Sequence, residues 1–157
     1  MTIEARDGRS VPLAVGICFE AAYPLVIGDG VARGGQAIIV PSNNYHFRSS
    51  GESAQQGQLL RMRAMEYSRS AVQASTTGHS YVIRPDGSIL ASTGTEEAAT
   101  LAADIPLRSS LTVTAWAGER VPGAVMAATF VINALALVTV IGQGIRASAR
   151  ARRASSH

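Results

Sequence analysis

The sequence predicts an α/β domain followed by one membrane-spanning helix. Two nearly unbroken apolar runs, residues 11–18 and 37–41, flank a helix-length segment that Gly34-Gly35 ends. A strand–helix–strand unit of this kind favours parallel neighbours. Further along, the 25 residues from Val121 to Ile145 carry no charge, and a helix of about 20 apolar residues crosses the roughly 30 Å hydrocarbon core of a bilayer. That run lacks the polar stripe of an amphipathic surface helix. The alternative, a fully buried core helix, asks a small domain to surround it.

In chain order, Thr2–Ala5 and Val11–Cys18 read as strands joined by a turn at Asp7-Gly8. Ala21–Ala32 is a short helix with Pro24 in its first turn, and Ala37–Pro41 is a second buried strand. Ser42–Gly51 is a polar loop. Ser53 to about Ser70 is a helix with Leu59, Met62 and Met65 as its apolar set and Ala64 alongside. Strands follow at Ala71–Ser75, Ser80–Arg84, Ile89–Ser92 and Leu101–Ile105, with Pro85-Asp86-Gly87 as the turn between the second and third. The domain boundaries read as 1–120, a transmembrane helix at 121–145 and a basic tail at 146–157.

Composition removes several function classes. The chain is 46% hydrophobic and only 16% charged, the reverse of a disordered chain. One cysteine excludes an internal disulfide framework, and the scattered His46, His79 and His157 argue against a histidine-built metal site. No metal or cofactor is expected. All 14 basic residues are arginine. Arg146, Arg150, Arg152 and Arg153 lie in the last 12 residues, and the first 145 hold ten arginines against eleven acids. The basic excess is therefore a tail, without the aromatic interleaving of a nucleic-acid surface. Arginines directly after an apolar run place the C-terminus in the cytoplasm and the preceding domain outside it. Met1–Ser10 has no apolar signal-peptide core, so an exported domain of this kind is expected to have earlier membrane segments upstream.

Cys18 stands at a strand end beside a helix start. Unpaired N–H groups there, including that of Phe19, can stabilise a thiolate and a developing oxyanion. The same position also suits a buried structural thiol. Glu66 lies three residues from both Arg63 and Arg69 and reads as a structural ion pair on a helix. His46 and His79 read as loop and strand-end polar residues, and Asn133 within the apolar run as a tolerated residue or a contact to a neighbouring helix.

Gly16-Ile17-Cys18-Phe19-Glu20 followed by Tyr23-Pro24 resembles the nucleophile segment of the nitrilase, or carbon–nitrogen hydrolase, superfamily. The resemblance continues in order through Gly34–Pro41, Asn43-Asn44, Arg63–Arg69, Thr76–Ser80 and Pro85-Asp86-Gly87, spanning residues 3–108. Together with the terminal apolar run, it is similar to the C-terminal part of the apolipoprotein N-acyltransferases.

The resemblance implies a partial α-β-β-α sandwich on a membrane base and a Glu–Lys–Cys triad. It implies a cysteine that takes an acyl chain from a phospholipid as a thioester and passes it to the amine of a lipoprotein. On it, Cys18 matches the nucleophile, Glu20 a positioning acid, and Phe19 a position where many members carry tyrosine. Asn43, Asn44, Tyr45, His46 and Phe47 match the substrate loop, although the family's usual Asn-Asp-Ala-Trp-Phe is altered there. The family's base glutamate and lysine lie upstream of the nucleophile, and these 157 residues contain no lysine. The alternatives are an amidase or nitrilase of the same superfamily, which the membrane run opposes, and a catalytically incomplete membrane-anchored remnant.

Overall fold

A computed structural model describes residues 1–47, 50–95, 97–118 and 120–154, with side chains of the last helix described as far as Gln143. The chain divides into two units, Met1–Gly118 and Glu119–His157.

The first unit is built on one six-stranded sheet in sequential order. Strands β1 (Thr2–Glu4) and β2 (Ser10–Val15) form the antiparallel hairpin that Asp7-Gly8 predicts. Gly8 has φ +78°, a left-handed conformation that glycine adopts without steric penalty. Helix α1 (Pro24–Ala32) leads to β3 (Ala37–Ser42), and helix α2 (Glu52–Tyr67) leads to β4 (Ser70–Ser75). Both crossovers make parallel pairs, so β2, β3 and β4 run the same way. Strands β5 (Tyr81–Ile83) and β6 (Ile89–Ser92) complete the sheet antiparallel.

One face of the sheet packs on the helices. Ala14, Ile38, Val40, Ala71 and Ile83 meet Ile27 and Val31 of α1 and Leu60, Ala64 and Tyr67 of α2. On the other face Val11, Leu13 and Ala37 are covered by Ile105 and Leu107. Both faces are apolar, as the unbroken apolar runs require. The result is a mixed α/β sheet with its two long helices on one side. The second sheet of the implied sandwich is not among the described residues.

Four expectations are corrected. Leu101–Ile105 forms no strand. The chain there runs over the sheet and is held just beyond by one side-chain and one main-chain bond: Ser70 Oγ donates to Pro106 O at 2.7 Å, and Arg108 N–H to Gln36 O at 3.3 Å. Chain from Ala21 onward is not one helix. A 3-10 helix, Cys18–Ala22, precedes α1, and Tyr23 breaks the two in extended conformation. On α2, Met62 and Met65 are exposed, and the inward face carries Leu60, Ala64 and Tyr67 together with buried Ser53, Gln56 and Arg63. Finally, Glu66 pairs with Arg63 alone. Arg69 is fully buried and donates to the carbonyls of Gly35, Tyr67, Ser68 and Ser110. The Arg63–Glu66 pair is itself mostly buried, not on a solvated face.

A short helix, α3 (Val113–Ala117), closes the first unit, with Thr112 Oγ1 capping it by accepting from Ala115 N–H at 3.1 Å. The second unit is helix α4 (Arg120–Ala154). Its stretch Arg120–Gln143 has a mean hydropathy of 2.3 and is long and apolar enough to cross a membrane. Three of its polar side chains turn back on their own helix. Thr129 Oγ1 donates to Val125 O, Asn133 Nδ2 to Thr129 O, and Thr139 Oγ1 to Ala136 O. That self-satisfaction suits polar groups in hydrocarbon. The side chains of the arginine tail at 146–157 lie outside the described residues.

Candidate functional site

The three parallel strands end on the same edge of the sheet, and ligands of open α/β sheets bind outside such carboxyl ends. β2 runs into Gly16-Ile17-Cys18, β3 into Ser42-Asn43-Asn44, and β4 into Ser75–Gly78.

Cys18 opens the 3-10 helix with φ +53°. A left-handed non-glycine residue is strained by about 1–2 kcal/mol and persists only where its surroundings over-determine it. Here Gly16 N–H donates to Ile39 O at 3.1 Å, fixing the approach. The Glu20 carboxylate accepts from Ile17 N–H at 2.7 Å, and Glu20 N–H donates to Ile17 O at 3.0 Å. Glu20 therefore braces the turn that presents the sulfur. Phe19 is exposed and meets Tyr23 edge-to-face, ring centroids 5.9 Å apart. With exposed Ile17, these rings give the site an apolar border.

Beneath Cys18 lies a polar layer. Gln56, on the inward face of α2, places Nε2 3.8 Å from Cys18 Sγ and 3.2 Å from Ser42 Oγ. One turn earlier, Ser53 Oγ accepts from Asn44 Nδ2 at 3.1 Å and from His79 N–H at 3.0 Å. Gly78 closes over this pair so tightly that a Cβ there would lie 2.7 Å from Asn44 Nδ2. Asn43 Oδ1 accepts from Thr76 Oγ1 and Tyr45 N–H, linking the ends of β3 and β4. Among the described residues, buried Asn44 Oδ1, Gln56 Oε1, Gln73 Oε1 and Thr77 Oγ1 have no hydrogen-bond partner within the protein, and toward the other end of the sheet neither do Arg63 Nε and Arg69 Nη2.

Of the residues singled out from sequence, Cys18, Phe19, Glu20, Asn43 and Asn44 come to this edge. Tyr45, His46 and Phe47 form a 3-10 turn beyond β3, with Tyr45 and His46 exposed. Arg63 and Glu66 sit farther along α2, and Arg69 precedes β4, at the opposite end of the sheet. His79 is a scaffold residue whose ring Nδ1 lies 2.9 Å from Thr93 O. Ser42, Ser53 and Gln56 were not legible as site residues. The one available signal was a run of small polar residues on a helix that should present an apolar face. Among the described residues no three His, Cys, Asp or Glu side chains gather as a metal site.

Residues 2–114 match the carbon-nitrogen hydrolase family. The chain is 35% identical over 149 residues to an apolipoprotein N-acyltransferase of Mycolicibacterium smegmatis, covering 93% of this chain and 24% of that protein. It is 31% identical to apolipoprotein N-acyltransferase 1 of Treponema pallidum, covering 94% of this chain and 26% of that one. It thus spans about a quarter of the length of these relatives. Among solved structures, Nit3 of Saccharomyces cerevisiae, a nitrilase-superfamily member, is 25% identical with a TM-score of 0.49, over 62% of this chain and 38% of that one.

Proposed function

The chain belongs to the carbon–nitrogen hydrolase family, and from that premise we propose that it is the C-terminal part of a membrane N-acyltransferase acting on lipoproteins. Cys18 is the nucleophile. Its sulfur attacks the ester carbonyl of a phospholipid; the S–C bond forms, the C–O bond breaks, and a lysophospholipid leaves with the proton the thiol gave up. The N-terminal amine of a diacylglyceryl-cysteine lipoprotein then attacks the thioester. The N–C bond forms, the S–C bond breaks, and the sulfur recovers the proton the amine releases. Covalent catalysis of this kind divides one difficult transfer into two easier ones.

Glu20 holds the strained turn that presents the sulfur, and Ile17, Phe19 and Tyr23 supply an apolar border for the acyl chain. The substrate loop is Asn43–Phe47. The resemblance puts the general-base glutamate and the lysine that stabilises the oxyanion upstream of the nucleophile segment, and these 157 positions contain no lysine. They would come from elsewhere in the protein. Residues 121–145 cross the membrane, with the arginine tail in the cytoplasm and the first unit outside.

The observation that carries this reading is one chain holding both a strained cysteine at the ends of parallel strands and a 24-residue apolar helix. The test is N-acylation of a diacylglyceryl-cysteine peptide in membranes containing the protein as its gene encodes it. Cys18→Ser should abolish transfer at matched expression. Near-normal turnover would make Cys18 a packing residue and defeat the proposal.

A further inference from the structure

The thiol of Cys18 has a neighbour that no motif singles out. Gln56 is 4% exposed, and its Nε2 reaches both Cys18 Sγ and Ser42 Oγ. Its other polar atom, Oε1, is buried without a partner. One end of the amide therefore faces the sulfur and the hydroxyl at the end of β3.

We infer that Gln56 is a positioning residue for Cys18. It holds the sulfur with its amide N–H at the ends of the parallel strands. The inference deepens the nucleophile role assigned to Cys18 and rests on it for its catalytic meaning, but the contact between the two side chains is testable without any acyl transfer.

Three features make the contact directional. Ser42 Oγ, at the end of β3, holds the Gln56 amide from the side away from helix α2. Ser53, one turn before Gln56, is itself fixed by Asn44 and His79, so this end of α2 is anchored to the ends of β3 and β4. The left-handed turn at Cys18, braced by Glu20, fixes the sulfur from the other side. An amide N–H donated to a thiolate is charge-assisted, and such bonds are roughly twice as strong as neutral ones. A carboxylate in its place would do the opposite, setting a negative charge against the sulfur.

The test is the pH profile of Cys18 alkylation by iodoacetamide, read by mass spectrometry on the peptide that carries Cys18. The protein is used as its gene encodes it, in detergent. Gln56→Glu should move the profile to higher pH and slow alkylation near neutral pH about tenfold. Gln56→His, which keeps an N–H at similar reach, should stay within about threefold of the wild type. If Gln56→Glu does not fold, as judged by circular dichroism and protease resistance, Gln56→Met decides. It fills similar space without a donor, and should slow alkylation about threefold or more. A folded Gln56→Glu or Gln56→Met variant whose profile superimposes on the wild type overturns the inference. Loss of acyl transfer on Cys18→Ser is a separate result, so failure of the nucleophile reading and failure of the Gln56 contact are told apart.

Discussion

The two ends of the central sheet both bury polar groups, but they do so in opposite ways. At the amino-terminal ends of β3 and β4, Arg69 spends its guanidinium on four main-chain carbonyls, those of Gly35, Tyr67, Ser68 and Ser110. Two of these belong to the last turn of α2 and its cap, where carbonyls lack helical partners. Ser70 and Thr112 add bonds to Pro106 O and Glu66 O. Burial, reinforced by the charge of Arg108, lowers the Arg69 pKa from the ordinary arginine value. At the carboxyl ends, short side chains hold one another, and four of their oxygens are left without donors. Unpaired buried polar atoms occur at both ends, Arg63 Nε and Arg69 Nη2 among them at the first. The difference lies in the partners: one end is closed by side-chain donors on main-chain carbonyls, whereas at the other, side chains bond mainly to one another around the Cys18 sulfur.

The contrast is broken or sharpened first at Arg69. Arg69→Ala should leave four carbonyls without their donor, and a buried orphan acceptor costs about 1–3 kcal/mol. Allowing for partial relaxation, the variant should lose about 3 kcal/mol or more. The loss is measurable as a fall in thermal midpoint in detergent and as faster proteolysis. Alkylation of Cys18 in the fraction that remains folded should be unchanged, because Arg69 is at the other end of the strands. A folded variant of full stability but altered Cys18 reactivity would reverse the assignment of the two ends.

Ser53 tests the other end with a smaller effect. Ser53→Ala removes the oxygen that accepts from Asn44 Nδ2 and His79 N–H. The expected cost is about 1–2 kcal/mol, less than at Arg69 because two donors lose their partner instead of four acceptors. Transfer should fall more than stability does, since Ser53 anchors the turn of α2 that carries Gln56. Equal and small losses in both would place Ser53 with the closed end and not with the site.

Much of the fold was legible because its signals are local. Two apolar runs, the turn at Asp7-Gly8 and the turn at Pro85-Asp86-Gly87 locate β1, β2, β3, β5 and β6 to within a few residues. Leu101–Ile105 misled because an apolar stretch next to a sheet can cover the sheet instead of joining it. Ile105 and Leu107 pack on Val11, Leu13 and Ala37, and neighbouring Pro106 O and Arg108 N–H bond singly to Ser70 Oγ and Gln36 O instead of in a ladder. Local spacing likewise assigned Arg69 to Glu66, but only the tertiary fold brings Gly35 and Ser110 to its guanidinium. The Cys18 segment could be recognised from its motif. Gln56, Ser42 and Ser53 could not, because a polar residue on an inward helix face looks in sequence like one on the solvated face. Only the packing of α2 beneath the strand ends distinguishes them.

Tyr67 gives the smallest effect and tests the closed end through pH. It is 3% exposed, and its hydroxyl donates to Pro24 O at 2.7 Å, tying the end of α2 to the start of α1. Burial, then the nearby Glu66 carboxylate, raises its pKa above the ordinary tyrosine value. The folded state therefore prefers the protonated phenol. This contribution is fully present below the unfolded pKa of about 10 and is lost as pH rises through the higher folded value. Tyr67→Phe should cost about 1 kcal/mol at neutral pH, the worth of one hydrogen bond. It should also make the loss of stability above pH ~10 shallower than in the wild type. Some alkaline sensitivity should survive in the variant, because burial raises the Tyr81 pKa in the same direction. Thermal midpoints across pH 7 to 11, compared between the two proteins, measure both effects. An unchanged alkaline slope would mean that Tyr67 ionises without disturbing the packing of α1 on α2, and that its hydroxyl bond is no part of the closed end.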